Sequence, residues 1–179
     1  LAHNHKQFIY ASSHHAIGFL PRGLYDEKAP IRADSWYGVS KAWGEILAAY
    51  YADKHGLNVV SIRIGSVTDK AMDERRTHTW NSPRDLAKLF ELGLKRTETG
   101  HRMVYGASEC PEPFFDLTSA KELGYVPMDN SHDNLVDESL RNAVPDLENP
   151  ENLFVGGYFA SGGLSPEALE RLKAEWGRA

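Results

Sequence analysis

One arrangement restricts the fold of this chain more than any other feature: two buried strands separated by a long helix. Lys6–Ala11, KQFIYA, is short, apolar and rich in strand-forming residues. A helix is predicted over Tyr37–His55, where alanine is frequent and Gly56 provides a C-terminal cap. Asn58–Ile64, NVVSIRI, then forms a second buried strand. Two strands connected through a helix pair in parallel, so the sequence predicts an α/β fold.

The rest of the chain supplies further elements of the same kind. A Ser-Pro pair, with serine at the N-cap and proline at the first helical position, begins a helix that runs to about Arg96. The other predicted segments are a long loop at Phe19–Ser35, an irregular stretch at Gly65–Trp80, a strand at Met103–Tyr105, a short helix from Ser119 to Leu123, a weaker helix at His132–Ala143 and a last helix beginning at Ser165-Pro166-Glu167.

Composition excludes several classes of protein. The 179 residues suit about one domain, and the net charge of -5 argues against a nucleic-acid-binding protein. A single cysteine, Cys110, excludes an intrachain disulfide framework and a multi-cysteine zinc site. No apolar run approaches about 20 residues, and the polar start of the chain is unlike a signal peptide. We therefore expect a cytoplasmic protein with no membrane partner and no bound metal.

Two polar motifs stand where an α/β enzyme binds ligands. Tyr37 and Lys41, in YGVSK, are four residues apart and share one face of the predicted helix. An ammonium beside a phenol favours the phenolate, so such a tyrosine can accept a proton from a substrate hydroxyl. Ser12 and Ser13 follow the first strand, at the sheet edge where open α/β sheets bind ligands. Each motif alone is common on protein surfaces, but their combination around one helix is far more specific.

These residues resemble a known family. FIYASSHHAIG, YGVSKAWGE and SIRIGS are similar to motifs of the extended short-chain dehydrogenase/reductases, the NAD-dependent epimerase/dehydratase family. The resemblance implies a Rossmann-like, doubly wound parallel sheet and a bound NAD. It also implies a catalytic set of Ser13, Tyr37 and Lys41. Tyr37 would be the acid/base, and Lys41 would bind the nicotinamide ribose.

Within that family, the chain resembles the uronate dehydrogenases from about residue 6 to residue 128. Those enzymes oxidise C1 of a hexuronic acid with NAD and form an aldarolactone. The resemblance implies substrate contacts at Ser13, His14, His15 and Ser66, and places Ile64 and Ser66 of RIGS beside the cofactor. Arg75 would bind the substrate carboxylate, because a guanidinium suits a carboxylate through paired hydrogen bonds. A one-residue shift would exchange it for Arg76.

Two departures from the family pattern keep other functions open. His14 replaces a usual asparagine, and no GxxGxxG loop for the dinucleotide pyrophosphate is present in these 179 residues. We expect residues 1–179 to form one catalytic and substrate-binding portion of such an enzyme, with a tail and terminal helix at 145–179. The alternatives are a nucleotide-sugar epimerase or dehydratase, and a catalytically silent fragment that acts as a binding or assembly module.

The remaining expectations concern packing and association. The resemblance implies a homodimer or higher homo-oligomer, because family members often dimerise through the tyrosine-bearing helix and its neighbour. The apolar faces of the helices at 37–55 and 82–96 permit this association. Trp36, Trp43 and Trp80 are expected to be packing residues. Cys110, which stands among polar residues and prolines, is expected to be a surface thiol.

Overall fold

The computed structural model describes residues 6–176, which form two parallel sheets surrounded by helices. The polar start of the chain and the predicted end of the last helix lie outside the described residues. In chain order the elements are β1 (Gln7–Ser13), α1 (Trp36–His55), β2 (Asn58–Ile64), β3 (Ser66–Val67), α2 (Glu74–Thr77), β4 (Trp80–Asn81), α3 (Pro83–Lys95), β5 (Gly100–Gly106), α4 (Thr118–Glu122), α5 (Tyr158–Ser161) and α6 (Pro166–Trp176). Four 3-10 turns lie at His14–Ile17, Ser131–Asp133, Glu138–Asn142 and Pro150–Leu153.

The larger sheet has the order β1-β2-β5, and all its strands are parallel. Ser13 pairs with Ile64, and Ile64 pairs with Gly106, so the three strands end together. This confirms the predicted parallel pairing. It also brings the residues that follow β1 and β2 to one edge of the sheet, where ligands bind in open α/β folds.

Helices cover both faces of this sheet, as the alternation of side chains along β2 shows. Val59 packs against Ala48 and Ala52 of α1. Val60 and Ile62 point to the other face, where they pack in one cluster with Leu89 of α3. The expected doubly wound arrangement is therefore present.

Local signals determine where the two main helices begin and end. The Ser35 hydroxyl accepts a hydrogen bond from the Gly38 amide and caps α1, which ends at Gly56 with a φ of 65°. Ser82 caps α3 through the Asp85 amide, and Pro83 is its first residue. Both helices follow their predicted limits within one residue, because caps are encoded by adjacent residues.

Two predictions were wrong, the first because of a long-range contact and the second because a local signal was overlooked. The helix expected at 132–143 is two short 3-10 turns, because the chain between them bonds to Ala71: Ala71 donates to Asn134, and Val136 donates to Ala71. The stretch 65–80, expected to be irregular, contains α2 and begins the small parallel sheet of β3 and β4. The partner of Ala71 is distant in sequence and leaves no local pattern. In the second case, Asp73 caps α2 by accepting a hydrogen bond from the Arg76 amide, a local signal that the prediction of an irregular stretch overlooked.

Within residues 6–176, no helix combines the length and the apolar character that crossing a membrane requires.

Candidate active site

A cavity of about 450 Å³ lies where β1 and β2 end. Its lining consists of Ser13, His14, His15, Tyr37, Gly65, Ser66, Val67, Thr68, Arg75, Arg76, Gly156, Tyr158 and Phe159. Six of the eight predicted site residues are therefore brought together by the fold. The other two, Lys41 and Ile64, are adjacent to lining residues through the contacts described below.

The predicted catalytic set lies at the junction of β1 and α1. Ser13 is the last residue of β1, and its hydroxyl accepts a hydrogen bond from the His15 amide at 3.2 Å. Tyr37 is in the first turn of α1 and is 47% exposed. The Lys41 ammonium lies 5.4 Å from the centre of the Tyr37 ring. It donates to the Ala11 carbonyl at 2.8 Å, which holds it against the end of β1. A fixed positive charge thus lies beside an accessible phenol.

The two adjacent histidines are held by different acceptors. The His14 ring pairs through Nδ1 with the Ile64 carbonyl at 3.0 Å, and the His15 ring pairs through Nδ1 with the Asp34 carboxylate at 2.6 Å. Since carbonyls and carboxylates only accept, both Nδ1 atoms carry a proton. Burial, and then the neighbouring His15 and Arg75, hold the pKa of His14 well below its ordinary value. His14 is therefore neutral, and its buried Nε2 is an acceptor without a partner among the described residues.

Charge in the cavity comes from Arg75. Arg76 is paired with Asp73, and Arg22 nearby is paired with Glu74. Arg75 donates to the Val155 carbonyl at 2.9 Å and has no carboxylate partner within residues 6–176. Burial, and then the nearby Arg76 and Arg22, hold its pKa below the ordinary value, although Asp73 opposes them. A charge this confined attracts an anion, and the geometry favours Arg75 over Arg76 as its ligand.

One wall of the cavity comes from residues 155–159, far from the other lining residues in sequence. Gly156 lies so close to Asp34 that an added Cβ atom would collide with the carboxylate. Gly157, with a φ of 61°, lies against the Arg75 guanidinium in the same way. Phe159 packs on the His15 ring, with centroids 4.6 Å apart. This wall brings the chain beyond residue 145 into the site.

Sequence reasoning missed Asp34 and the wall. Asp34 stands one residue before the cap of α1, and a carboxylate there is common in loops. Gly156 and Gly157 have no local signal of a site, because their contacts lie more than 80 residues away in sequence. By contrast, Ser66 is the last residue of RIGS, and its hydroxyl pairs with that of Thr79 at 3.0 Å.

Three packing expectations had mixed outcomes. Trp80 is buried as expected, and its indole donates to the Thr68 carbonyl. Trp36 and Trp43 are 89% and 65% exposed, so neither packs in the core of the single chain as expected. Cys110 is buried with Trp80 and Leu135, and burial raises the pKa of its thiol to about 11.

Across the described part of the chain, no three His, Cys, Asp or Glu side chains group to hold a metal ion.

A comparison with protein families shows which family this chain belongs to. The model of the NAD dependent epimerase/dehydratase family matches residues 1–103, more than half of the chain. The chain belongs to this family. Its sheet and helices have the Rossmann-like fold of other members. The UDP-galactose 4-epimerase structure, 16% identical with a TM-score of 0.56, shares that fold alone.

Several relatives of higher identity are named as uronate or glucuronic acid dehydrogenases. The uronate dehydrogenase of Pseudomonas putida is 42% identical over 167 residues, which are 90% of this chain and 60% of that protein. The glucuronic acid dehydrogenase structure from Chromohalobacter salexigens is 35% identical with a TM-score of 0.82, and the match covers 89% of this chain and 60% of that one.

A third relative was solved with its cofactor. The uronate dehydrogenase of Agrobacterium tumefaciens, a tyrosine-to-alanine mutant complexed with NAD, is 32% identical with a TM-score of 0.82. The match covers 92% of this chain and 62% of that one. This chain thus spans about 60% of the length of the curated relatives it matches first.

Proposed function

We propose that residues 1–179 form the catalytic and substrate-binding portion of an NAD-dependent dehydrogenase that oxidises a hexuronic acid at C1 to an aldarolactone. The observation that carries this proposal is the Arg75 guanidinium, which has no carboxylate partner within residues 6–176 and lies in the same cavity as Ser13 and Tyr37. A cavity of about 450 Å³ is in the range of small-molecule sites, and its single uncompensated cation suits a monocarboxylate.

The residues present fit one end of NAD. Tyr37 is accessible and Lys41 presents an ammonium beside it, as the nicotinamide ribose would require. No glycine-rich phosphate loop lies between a strand and a helix within residues 6–176. The chain therefore supplies the reacting end of the cofactor site. Bound NAD supplies a hydride acceptor.

The proposed reaction assigns one task to each residue. Tyr37 takes the proton of the C1 hydroxyl while C1 gives up a hydride to NAD, which leaves the lactone carbonyl. The Lys41 ammonium favours the phenolate by charge attraction and binds the ribose. Ser13 donates a hydrogen bond to the reacting oxygen. Arg75 binds the substrate carboxylate. The remainder of the sugar is bound by His14, His15 and Ser66. Ile64 and Ser66 lie beside the cofactor.

Substrate competition combined with a tyrosine variant tests the proposal. NADH formation is measured with galacturonate, glucuronate and the neutral sugar galactose, and conversion of UDP-galactose is followed by chromatography of the nucleotide-sugars, after calorimetry has established NAD binding. The two readouts differ because an epimerase or dehydratase returns the hydride to the sugar and forms no net NADH. We expect turnover with the uronates and its loss in Tyr37→Phe, with an unchanged circular dichroism spectrum. Near-normal turnover in Tyr37→Phe would contradict the mechanism.

The same measurements separate the alternatives. Reaction of UDP-galactose in place of the uronates would favour a nucleotide-sugar epimerase or dehydratase, whose structures share the fold at 15–16% identity. If NAD does not bind at concentrations up to about 1 mM, its binding free energy is weaker than about -4 kcal/mol. That result would favour a silent binding module.

We also propose that the chain associates into a homodimer or higher homo-oligomer. Large apolar side chains recur every three or four residues along one exposed stripe of α1: Trp36, Val39, Trp43, Ile46 and Tyr50. This stripe lies beside Tyr37 and Lys41 without including them. The proposed compartment is the cytoplasm, where the oxidation would use the cellular NAD pool.

A further inference from the structure

Asp34 lies against the cavity wall and has no role in the reaction proposed above. Its side chain is fully buried, and Oδ2 lies 2.6 Å from His15 Nδ1. The other carboxylate oxygen, Oδ1, accepts a hydrogen bond from the Ser35 hydroxyl at 2.8 Å. A buried carboxylate is costly unless it is paired and hydrogen-bonded, and here both oxygens have partners.

The chain makes space for this carboxylate from two directions. A Cβ atom at either Gly18 or Gly156 would collide with Asp34 Oδ2. The Gly156 amide donates to the Gly18 carbonyl at 2.9 Å, which holds the two glycines together around the carboxylate. Asp34 therefore has little freedom to move, and neither does the imidazole that donates to it.

We infer that Asp34 is a positioning residue that fixes the tautomer and orientation of His15 for sugar binding. The carboxylate only accepts, so Nδ1 of His15 keeps its proton, and of the two neutral tautomers this arrangement selects the one with the lone pair on Nε2. Nδ1 is occupied by Asp34, so Nε2 is the nitrogen left for a ligand in the cavity. There it accepts a hydrogen bond from a sugar hydroxyl.

The surroundings of His15 limit the other orientations of its ring. Phe159 packs on one side with centroids 4.6 Å apart, and Tyr37 meets the ring edge to face at 5.8 Å. The ring of the preceding residue, His14, is also close, with its centroid 4.3 Å from that of His15. A rotated ring would lose the Asp34 hydrogen bond and leave the buried carboxylate without its partner, which is unfavourable.

Histidine NMR on the 179-residue chain tests this inference without any turnover. Correlations between ring protons and ring nitrogens distinguish the two neutral tautomers, and His15→Gln assigns the His15 signals. We expect His15 to be protonated at Nδ1 in the native chain and to lose that preference in Asp34→Asn. His14 is the internal reference: its Nδ1 faces the Ile64 carbonyl, so its tautomer should not change.

Kinetics then test whether the positioning matters, and this part rests on the proposed function. Asp34→Asn should lower kcat/KM for the uronate about 10- to 100-fold, mainly through KM, as for residues that orient metal-binding histidines. In a His15→Gln background the same change should have little further effect, because Asp34 acts through His15. Asp53→Asn, an exposed carboxylate on α1, is the matched control.

The outcomes separate the two proposals. An unchanged His15 tautomer in Asp34→Asn, or additive effects in the double variant, would overturn the positioning role. If the uronates are not oxidised but the tautomer depends on Asp34, the proposed function fails and the assignment of Asp34 to His15 stands.

Discussion

At the scale of single residues, the charge of the cavity depends on which arginine already has a partner. Arg75 and Arg76 are adjacent and both line the cavity, but only Arg76 is paired, with Asp73. Arg75 donates a hydrogen bond to the Val155 carbonyl in the cavity wall, and no carboxylate within residues 6–176 neutralises its charge. The sequence could not decide which of the two arginines binds a ligand, whereas the structure shows that Arg75 is the one without a carboxylate partner within residues 6–176.

This difference predicts unequal effects of matched substitutions. Arg75→Gln should raise KM for the uronate about 10- to 100-fold, because charged hydrogen bonds contribute about 1.5–3 kcal/mol. Arg76→Gln should leave KM within about threefold of the native value, because its partner is Asp73. Steady-state kinetics on both variants, with thermal unfolding as a folding control, provide the check. Equal effects at the two positions would contradict the assignment.

His14 predicts a pH dependence of stability. Its pKa is held well below its ordinary value of about 6.5 in the folded chain, first by burial. The unfolded chain therefore takes up the proton first, so stability falls as the pH drops below about 6.5 and is unaffected by His14 above it. The contribution is at most about 1.4 kcal/mol per pH unit.

Urea unfolding between about pH 7 and pH 5 tests this dependence. His14→Asn should flatten the fall in unfolding free energy, whereas His55→Asn, at an exposed position, should not. His101, whose pKa is also lowered by burial, leaves part of the slope in both variants. An unchanged slope in His14→Asn would show that His14 is not the group responsible.

At the scale of elements, α1 is joined to the sheet by a buried ion pair. Arg63 of β2 donates through Nε and Nη2 to the two carboxylate oxygens of Glu45, each at 2.9 Å. The Ser12 hydroxyl donates to the same carboxylate at 2.5 Å. Burial alone would lower the pKa of Arg63, but hydrogen bonding and charge attraction from Glu45 raise it on balance. This network fixes α1, and with it Tyr37, against β1 and β2.

Breaking that pair should destabilise the fold strongly. Glu45→Gln leaves the Arg63 guanidinium buried without a counter-charge, which costs about 3–5 kcal/mol. Glu91→Gln is the control, because Glu91 pairs with Lys88 and Lys95 at the surface of α3 and should change little. Urea unfolding midpoints measure both. A small loss in Glu45→Gln would mean that the buried pair does not hold α1 in place.

The accuracy of sequence-based prediction also varied by element. Local signals were sufficient for α1 and α3, because Ser35, Gly56, Ser82 and Pro83 act within one turn. The strand and helix motifs placed Ser13 and Tyr37 at one edge of the sheet, and the family resemblance added Arg75. All three line one cavity. The β3-β4 pair and the wall at 155–159 depend on contacts far along the chain, and no spacing in the sequence encodes them.

At the scale of the whole molecule, the site and the exposed stripe of α1 occupy adjacent surfaces. The stripe is apolar and solvent-exposed in the single chain, with Trp36 89% exposed and Trp43 65% exposed. Monomeric proteins rarely leave a contiguous apolar patch of this kind uncovered. A second copy of the chain would cover it by the isologous pairing common to homodimers.

This arrangement predicts that a charge placed in the stripe will lower the mass of the assembly in solution. Sedimentation should show a dimer or larger species for the native chain, and Trp43→Glu should shift it towards monomer because a charge would enter the interface. Val144→Glu, at a position 87% exposed outside the stripe, should keep the native assembly. A native chain that sediments as a monomer at about 100 µM would contradict the proposed association.

The enclosure of Asp34 has a consequence for biosynthesis. Gly18 and Gly156 meet around one carboxylate although 138 positions separate them (156 minus 18). Contacts between such distant segments form late, because closing a long loop is entropically costly. On the ribosome, β1 and β2 can pair once β2 has emerged and β5 can complete the sheet, but the cavity lacks a wall until residues 155–159 follow. The sheet would then form before the cavity, and a ribosome stalled between β5 and residue 155 would expose the carboxyl edge of the sheet without that wall.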